Sequence, residues 1–215
     1  MNQKLFEANY DVTKKNKFFL FYEKNKILIY SLLILTISIF ISINIYFSFQ
    51  EKKKILLSEM YIDAKVYLES KENEKAKSIL KEIIFENDST YSTLGLFMII
   101  NQKLISNNLE LVNLFDHVLA NNKLPKNLKN LLIFKKMLLN SNSINEDKLL
   151  KEAKPLLNSD NIWRAHVLLL IGDYFSSKSE NLKAIEFYNQ IFTAKNVTND
   201  ILNHAKLQIA LMSNE

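Results

Sequence analysis

The spacing of hydrophobic positions changes once along the chain, close to residue 50. The stretch from Ile27 to Phe49 reads ILIYSLLILTISIFISINIYFSF and contains no charged residue. After Glu51, apolar residues recur every three or four positions, as in a helix with one buried face. No stretch alternates with period two for long, so the pattern predicts an all-α protein.

The uncharged stretch is long enough to cross a bilayer as one helix. Its twenty-three residues give roughly 35 Å of helix, against a hydrocarbon core of about 30 Å. It exceeds the apolar core of a signal peptide, and FSFQEKKK follows it instead of small residues. We therefore expect an uncleaved signal anchor. The chain then has three regions: a short cytoplasmic or interfacial tail (1–26), the transmembrane helix (27–49) and a helical repeat domain (50–215).

Lysines flank the predicted span on both sides, and residues 1–54, with nine lysines and four acids, account for the net charge of +5. The flanking residues are Lys24, Lys26, Lys52, Lys53 and Lys54. Residues 55–215 contain equal numbers of acids and bases, so the excess lies where lysine contacts lipid headgroups. Arg164 is the only arginine, and this charge distribution argues against nucleic-acid binding. The lysine count near the span is nearly equal on the two sides and favours a cytoplasmic N-terminus only slightly.

Eight breaks rich in Asn, Ser and Lys divide the remainder into about nine helices. Two helix pairs meet the spacing of the tetratricopeptide (TPR) repeat, in which small residues let paired helices approach closely. A third pair, starting at Tyr91, is degenerate, and residues 126–157 form a pair by length alone. The positions expected to pack within repeats are Ala64, Tyr67, Ala76, Leu80, Gly95, Gly172, Phe175, Ala184 and Tyr188.

These spacings predict a TPR-like α-solenoid of about four helix pairs after the transmembrane helix, with Ile201–Met212 as a terminal capping helix. The alternative for each repeat is an ordinary antiparallel helix hairpin. In TPR arrays, first-helix positions line a concave groove that holds a segment of a partner protein. Here those positions fall on Tyr61, Lys65, Leu96, Ile99, His166 and Asp173. For any one of them, plain helix surface is an equally good interpretation.

The layout resembles the ancillary subunit family of the SecYEG translocon, which are single-span bacterial inner-membrane proteins with a degenerate TPR-like periplasmic domain. The resemblance covers nearly the whole chain. It rests on FFLFYEKNK (18–26), the span after it, AKVYLES (64–70) and LLLIGDYFSSKSENLKAIEFYNQI (168–191). The tail departs from the family in lacking Arg and acidic richness. The resemblance implies a cytoplasmic N-terminus, a periplasmic domain, and association with the translocon and periplasmic chaperones.

The sequence offers no pattern that calls for catalysis. Cysteine is absent, and the two glycines lie too far apart for a phosphate-binding loop. His117, His166 and His204 lie on separate predicted helices without a metal-ligand partner at i+4. We therefore expect a protein that is not an enzyme, with no catalytic residues, metal, cofactor or small-molecule substrate.

The leading hypothesis is a membrane-anchored protein–protein interaction scaffold, an accessory subunit of the Sec translocon that links it to periplasmic chaperones. The alternative is a TPR-like structural adaptor of another envelope assembly, such as the division or secretion machinery. Fold alone does not separate them, because TPR grooves bind many unrelated segments.

Overall fold

A computed structural model of the chain describes residues 17–157, 162–195 and 197–213. Within these residues every regular element is a helix and there is no strand, which confirms the predicted all-α class. The helices are α1 (Lys17–Glu69), α2 (Asn73–Phe85), α3 (Tyr91–Asn101), α4 (Asn108–Asn121), α5 (Lys126–Asn140), α6 (Glu146–Leu157), α7 (Arg164–Ser177), α8 (Asn181–Ile191) and α9 (Asn199–Ser213).

The helix boundaries fall at the breaks expected from sequence, and one shows why these residue types end helices. The side chain of Asn107 accepts hydrogen bonds from the backbone N–H groups of Leu109 (2.9 Å) and Glu110 (3.3 Å), which caps α4. Two predicted breaks, 158–161 and the start of 196–199, lie outside the described residues. So does most of the predicted tail, of which residues 17–26 already belong to α1.

Backbone contacts divide the chain into two compact units, one ending at Ile55 and the other beginning at Leu56. The first unit contains the apolar part of α1. The most apolar window of this helix buries none of its surface against protein. Among the described residues, α1 is the one helix both long and apolar enough to cross a membrane.

Polar side chains within this apolar stretch bond to the helix that carries them. The hydroxyls of Ser31, Thr36 and Ser42 each donate to a backbone carbonyl three or four residues earlier, at 2.8–2.9 Å. Such bonds remove the cost of placing a hydroxyl in hydrocarbon. The Asn44 side-chain amide donates in the same way to the carbonyl of Phe40, at 2.8 Å.

In the second unit, helices α2 to α9 pack in chain order, each against the next. Helix α2 also contacts α4, and α7 also contacts α9. Neighbouring elements in sequence are therefore neighbours in space.

The second unit has two hydrophobic cores, and α5 contributes to both. Leu132 belongs to the core formed by the end of α1 together with α2, α3 and α4. Phe134 and Met137 belong to the core formed with α6, α7, α8 and α9. Each core buries leucine, isoleucine and phenylalanine side chains that recur at helical spacing in the sequence.

The turn that joins α1 to α2 has the same backbone geometry as the turn that joins α7 to α8. Lys71 and Ser179 occupy the left-handed region, with φ of 61° and 60°. In each turn the next residue, Glu72 or Glu180, donates its N–H to the carbonyl five positions earlier, at 2.8 Å and 2.9 Å. This pattern ends a helix by satisfying carbonyls that have no partner within it.

The side chains at these two turns match as well. Lys75 bonds Glu72 and lies 5.2 Å from the ring centroid of Tyr67. Lys183 bonds Glu180 and lies 4.9 Å from the ring centroid of Phe175. Each matched pair is 108 positions apart, as residues 75 and 183 are. The end of α3 has the same backbone pattern at Lys103, but among the described residues only these two corners, the α1–α2 and α7–α8 turns, combine it with the same ion pair and the same lysine–aromatic contact.

Candidate partner-binding surface

The second corner is held together by the approach of α8 to a glycine on α7. Tyr188 is fully buried, and its ring lies directly over Gly172. A Cβ atom placed on Gly172 would lie 2.7 Å from Cδ1 and 2.9 Å from Cζ of that ring. Glycine is therefore required here for close packing of the two helices, as the repeat spacing predicts.

The hydroxyl of Tyr188 reaches past Gly172 to the neighbouring acid. It donates a 2.7 Å hydrogen bond to Oδ1 of Asp173, and Nε2 of His204 lies 3.3 Å from the same oxygen. Burial of the ring, and then this bond to Asp173, raise the pKa of Tyr188 well above its ordinary value. One carboxylate thus joins α7, α8 and α9, and nearly half of its side-chain surface stays exposed.

A crevice of about 170 Å³ opens beside Asp173. It lies between the end of α5 and the exposed side of α7. Its lining residues are Ser141, Asn142, Leu170, Asp173, Tyr174 and Ser177. The hydroxyl of Tyr174 donates to the carbonyl of Ile144 at 3.3 Å, which ties α7 to the turn before α6. Asp173 supplies the only charge among these six residues.

Two of the predicted groove positions lie on the last part of α1. Tyr61 is partly buried, with its ring centroid 6.4 Å from that of Tyr91, and burial raises its pKa. Lys65 is exposed. By the spacing of the two corners, Lys65 is the counterpart of Asp173, so equivalent positions carry opposite charges.

Leu96 and Ile99 differ from the prediction that they line an exposed groove. Both have no exposed surface and belong to the first core. The face of α3 that contains them is covered because α3 is an interior helix. Its Ser92 hydroxyl is buried between the carbonyls of Ile83 and Ile84, at 3.2 Å and 3.0 Å. The assignment of groove positions to this degenerate repeat was wrong for both residues.

His166 lies in an aromatic cluster at the start of α7. Its ring centroid is 5.6 Å from Phe134 and 5.4 Å from Trp163, and Nδ1 lies 3.2 Å from the carbonyl of Ile162. Phe134 and Trp163 stack on each other at 5.4 Å. His166 and Asp173 share α7, but no contact joins His166 to the crevice.

The residues predicted to pack within repeats are buried or partly buried. All except Tyr67, which is partly buried, are buried: Ala64, Ala76, Leu80, Gly95, Gly172, Phe175, Ala184 and Tyr188. The five predicted membrane-flanking lysines all lie on α1, at the two ends of its apolar stretch.

Sequence reasoning missed the other walls of the crevice and one ion-pair network. Leu170, Tyr174 and Ser177 follow helical spacing around Asp173, so the pattern contained a signal for that side. Ser141 and Asn142 come from a distant helix end, and nothing local indicates them. Lys136 of α5 bonds both Asp116 (2.6 Å) and Glu152 (3.0 Å). Local spacing could not predict these ion pairs, because the partners of Lys136 are on other helices.

Comparison with known proteins identifies no related site. No protein-family model, curated protein or solved structure matches the chain. Within the part of the chain that the structure describes, no group of three or more histidine and carboxylate side chains could hold a metal ion. What the arrangement offers chemically is a half-exposed carboxylate and an amide, beside three hydroxyl groups that donate to backbone carbonyls, in a crevice large enough for one side chain.

Proposed function

We propose that this protein is a membrane-anchored scaffold whose TPR-like helical domain binds a segment of a partner protein. The observation that carries the proposal is the repeated corner: the α1–α2 and α7–α8 turns share their backbone geometry, their ion pair and their lysine–aromatic contact. A corner built twice in one chain is typical of a repeat array, and such arrays serve mainly as binding surfaces.

The anchor supports the membrane part of the proposal. Helix α1 carries an apolar stretch without protein cover, and lysines flank it at both ends. Burying such a stretch in lipid removes its apolar surface from water. We propose a single-pass protein of the bacterial inner membrane with a cytoplasmic N-terminus and a periplasmic helical domain.

Asp173 and Lys65 are the residues we assign to partner binding. Both are charged, both remain accessible, and they occupy matching positions of the two corners. Opposite charges at matching positions would fix the direction of a bound segment, because each end prefers a different charge. Binding at these positions needs no catalytic group.

For the partner, we propose the Sec translocon and periplasmic chaperones, on the strength of the resemblance in residues 18–26, 64–70 and 168–191. The test is purification of the full chain from its native membranes in mild detergent, through a tag after Glu215, with mass spectrometry of the bound proteins. Translocon subunits and chaperones should be enriched. Recovery of a different envelope assembly would support the alternative adaptor function instead.

Charge-reversal variants make this test specific for the surface. Asp173→Lys and Lys65→Glu should each reduce recovery of the partner severalfold. Glu186→Lys, an exposed change of α8, is the matched control and should leave recovery unchanged. Equal recovery with all three variants would show that the partner binds elsewhere.

Orientation needs a separate measurement. A reporter that is active only in the periplasm, fused after Glu215, should be active, and a reporter that is active only in the cytoplasm should be silent. The reverse result would contradict the proposed topology and leave the anchor itself intact.

A further inference from the structure

Asn44 is chemically unlike every other residue of the span. It is the only carboxamide between Ile27 and Phe49. Ser38 is the middle residue of that stretch, so Asn44 lies about 9 Å from the centre of a core about 30 Å thick. Its side chain is exposed on the helix surface, where a spanning α1 would place it against hydrocarbon.

Three hydroxyl groups of the span are bonded within their own helix, whereas the bond that Asn44 makes there engages only part of its carboxamide. Ser31, Thr36 and Ser42 each have one O–H, and it is bonded to a carbonyl of α1. A carboxamide has two N–H donors and an acceptor oxygen. The bond to Phe40 engages one N–H, which leaves a donor and an acceptor to be satisfied in a medium without water.

We propose that α1 pairs with α1 of a second copy of this chain through the face that contains Asn44. In a parallel pair related by a two-fold axis, the two Asn44 side chains lie at the same depth. Each amide then donates to the oxygen of the other, so both unmet groups are satisfied on both chains. A second copy supplies the complementary group at the right depth by symmetry, because both copies cross the membrane in the same direction.

The residues around Asn44 fit such a pairing. Positions spaced by three and four residues form one continuous face of large side chains, interrupted only by Asn44. They are Tyr30, Leu33, Ile37, Phe40, Asn44 and Phe47. This seven-residue repeat keeps one face towards a partner helix, and a single asparagine within it fixes the register of the two helices.

The serines at positions 31, 38 and 42 form the competing face. They also follow seven- and four-residue spacing, and small residues permit close helix approach. Two of the three, Ser31 and Ser42, have hydroxyls already bonded within α1. A serine brings only one O–H, whereas the carboxamide of Asn44 has both a donor and an acceptor to satisfy, so association relieves the Asn44 face more.

The absence of cysteine from the chain allows a direct test. Single-cysteine variants of the full chain are expressed in the bacterial inner membrane and treated with a membrane-permeable oxidant. Ile37→Cys lies one heptad before Asn44, on the same side of the helix. Leu35→Cys lies nine residues before Asn44, on the opposite side of the helix and at nearly the same depth as Ile37. We expect a disulfide-linked dimer for Ile37→Cys and little or none for Leu35→Cys.

Asn44 variants then test its role in membrane vesicles, with pairing measured by energy transfer over a range of protein-to-lipid ratios. Asn44→Leu should lower the association constant about 5–30-fold, the equivalent of 1–2 kcal/mol. Asn44→Gln keeps the carboxamide and should retain most of the association. Thr36→Leu, which removes a polar group bonded within α1, should change little.

Three results would overturn the inference: disulfide dimers at neither position, equal yields at both, or a Ile37→Cys disulfide to a different protein only. Labelling of the denatured variants with a maleimide verifies that each thiol was present. The inference rests on the anchoring part of the proposed function, so membranes are first extracted with alkaline carbonate. A chain released by carbonate would overturn anchoring and pairing together, whereas a retained chain without dimers would overturn the pairing alone.

Discussion

The ring of Tyr188 lies against the backbone of Gly172, in space that any other residue's Cβ would occupy. The corresponding positions of the first corner hold Ala64 and Leu80, both fully buried. The larger residue on the first helix is thus matched by a smaller one on the second. Ala64 and Leu80 belong to one hydrophobic core, so both corners bury these two positions with different side chains.

This exchange predicts a rescue. Gly172→Ala should lower the free energy of unfolding by about 1–3 kcal/mol, because the new methyl group overlaps the tyrosine ring. Adding Tyr188→Leu, which recreates the Ala64–Leu80 combination, should make the double variant more stable than the sum of the single changes. Thermal unfolding of the full chain in detergent, followed by circular dichroism, measures all three variants.

Gly95→Ala is the control for this prediction. Its new Cβ would lie 3.2 Å from the carbonyl oxygen of Leu80 and 3.3 Å from Cγ1 of Ile84, a milder contact. The gain of about 1 kcal/mol in helix propensity offsets that crowding. A loss at Gly95 as large as that at Gly172 would contradict the special role of the Tyr188 ring.

Replacing non-glycine residues that have a left-handed backbone conformation by glycine should stabilise the protein. Lys71, Lys103 and Ser179 each end a helix with φ between 51° and 61°. Glycine adopts this conformation without a Cβ penalty, so each substitution by glycine should raise the free energy of unfolding by about 0.5–1 kcal/mol. Asn87→Gly should gain less, since asparagine tolerates this region. Destabilisation by glycine at all three positions would refute the strain argument.

Alkaline pH should destabilise the α7–α8 corner. The folded state raises the pKa of Tyr188 above its unfolded value of about 10. The contribution of the protonated phenol to the free energy of unfolding is therefore fully present below that unfolded pKa and is lost as the pH rises above it. Unfolding free energies measured from pH 8 to 11 should therefore fall, and Tyr188→Phe should flatten that fall.

At neutral pH the same Tyr188→Phe variant should be less stable by about 1.5–3 kcal/mol, because the bond to the Asp173 carboxylate is gone. Tyr61→Phe is the comparison, since burial alone raises the pKa of Tyr61. A pH profile unchanged by Tyr188→Phe would show that this phenol does not control the alkaline transition.

Removing Lys136 should lower the free energy of unfolding, and a second substitution should restore most of it. The Lys136 side chain is 11% exposed and that of Glu152 is 15% exposed, so removing the lysine strands a largely buried carboxylate. Lys136→Met should cost about 1.5–3 kcal/mol, and Lys136→Met with Glu152→Met should recover most of it. Lys129→Met, an exposed change on the same helix, should be neutral in chemical denaturation.

The sequence was sufficient for the features set by local spacing. The uncharged stretch predicted the apolar helix, and the steps of three and four predicted helices whose small residues Gly172 and Ala184 are buried. These features depend on residues close together in the chain. Their burial follows directly from helical periodicity.

Features that depend on distant parts of the chain could not be predicted from the local spacing of residues. Leu96 and Ile99 sit at groove positions in the repeat pattern, yet other helices cover them. The crevice beside Asp173 depends on where the end of α5 comes to lie. Lys136 finds its acids on α4 and α6, and no spacing rule connects those positions.

Helix α5 couples the unfolding of the two hydrophobic cores of the second unit. In an array of stacked pairs, one half can melt while the other stays folded. Here Leu132 secures α5 to one core while Phe134 and Met137 secure it to the other. Loss of either core exposes apolar surface of the shared helix. The two halves should therefore melt as one cooperative transition, with α5 among the last segments to exchange its amide hydrogens.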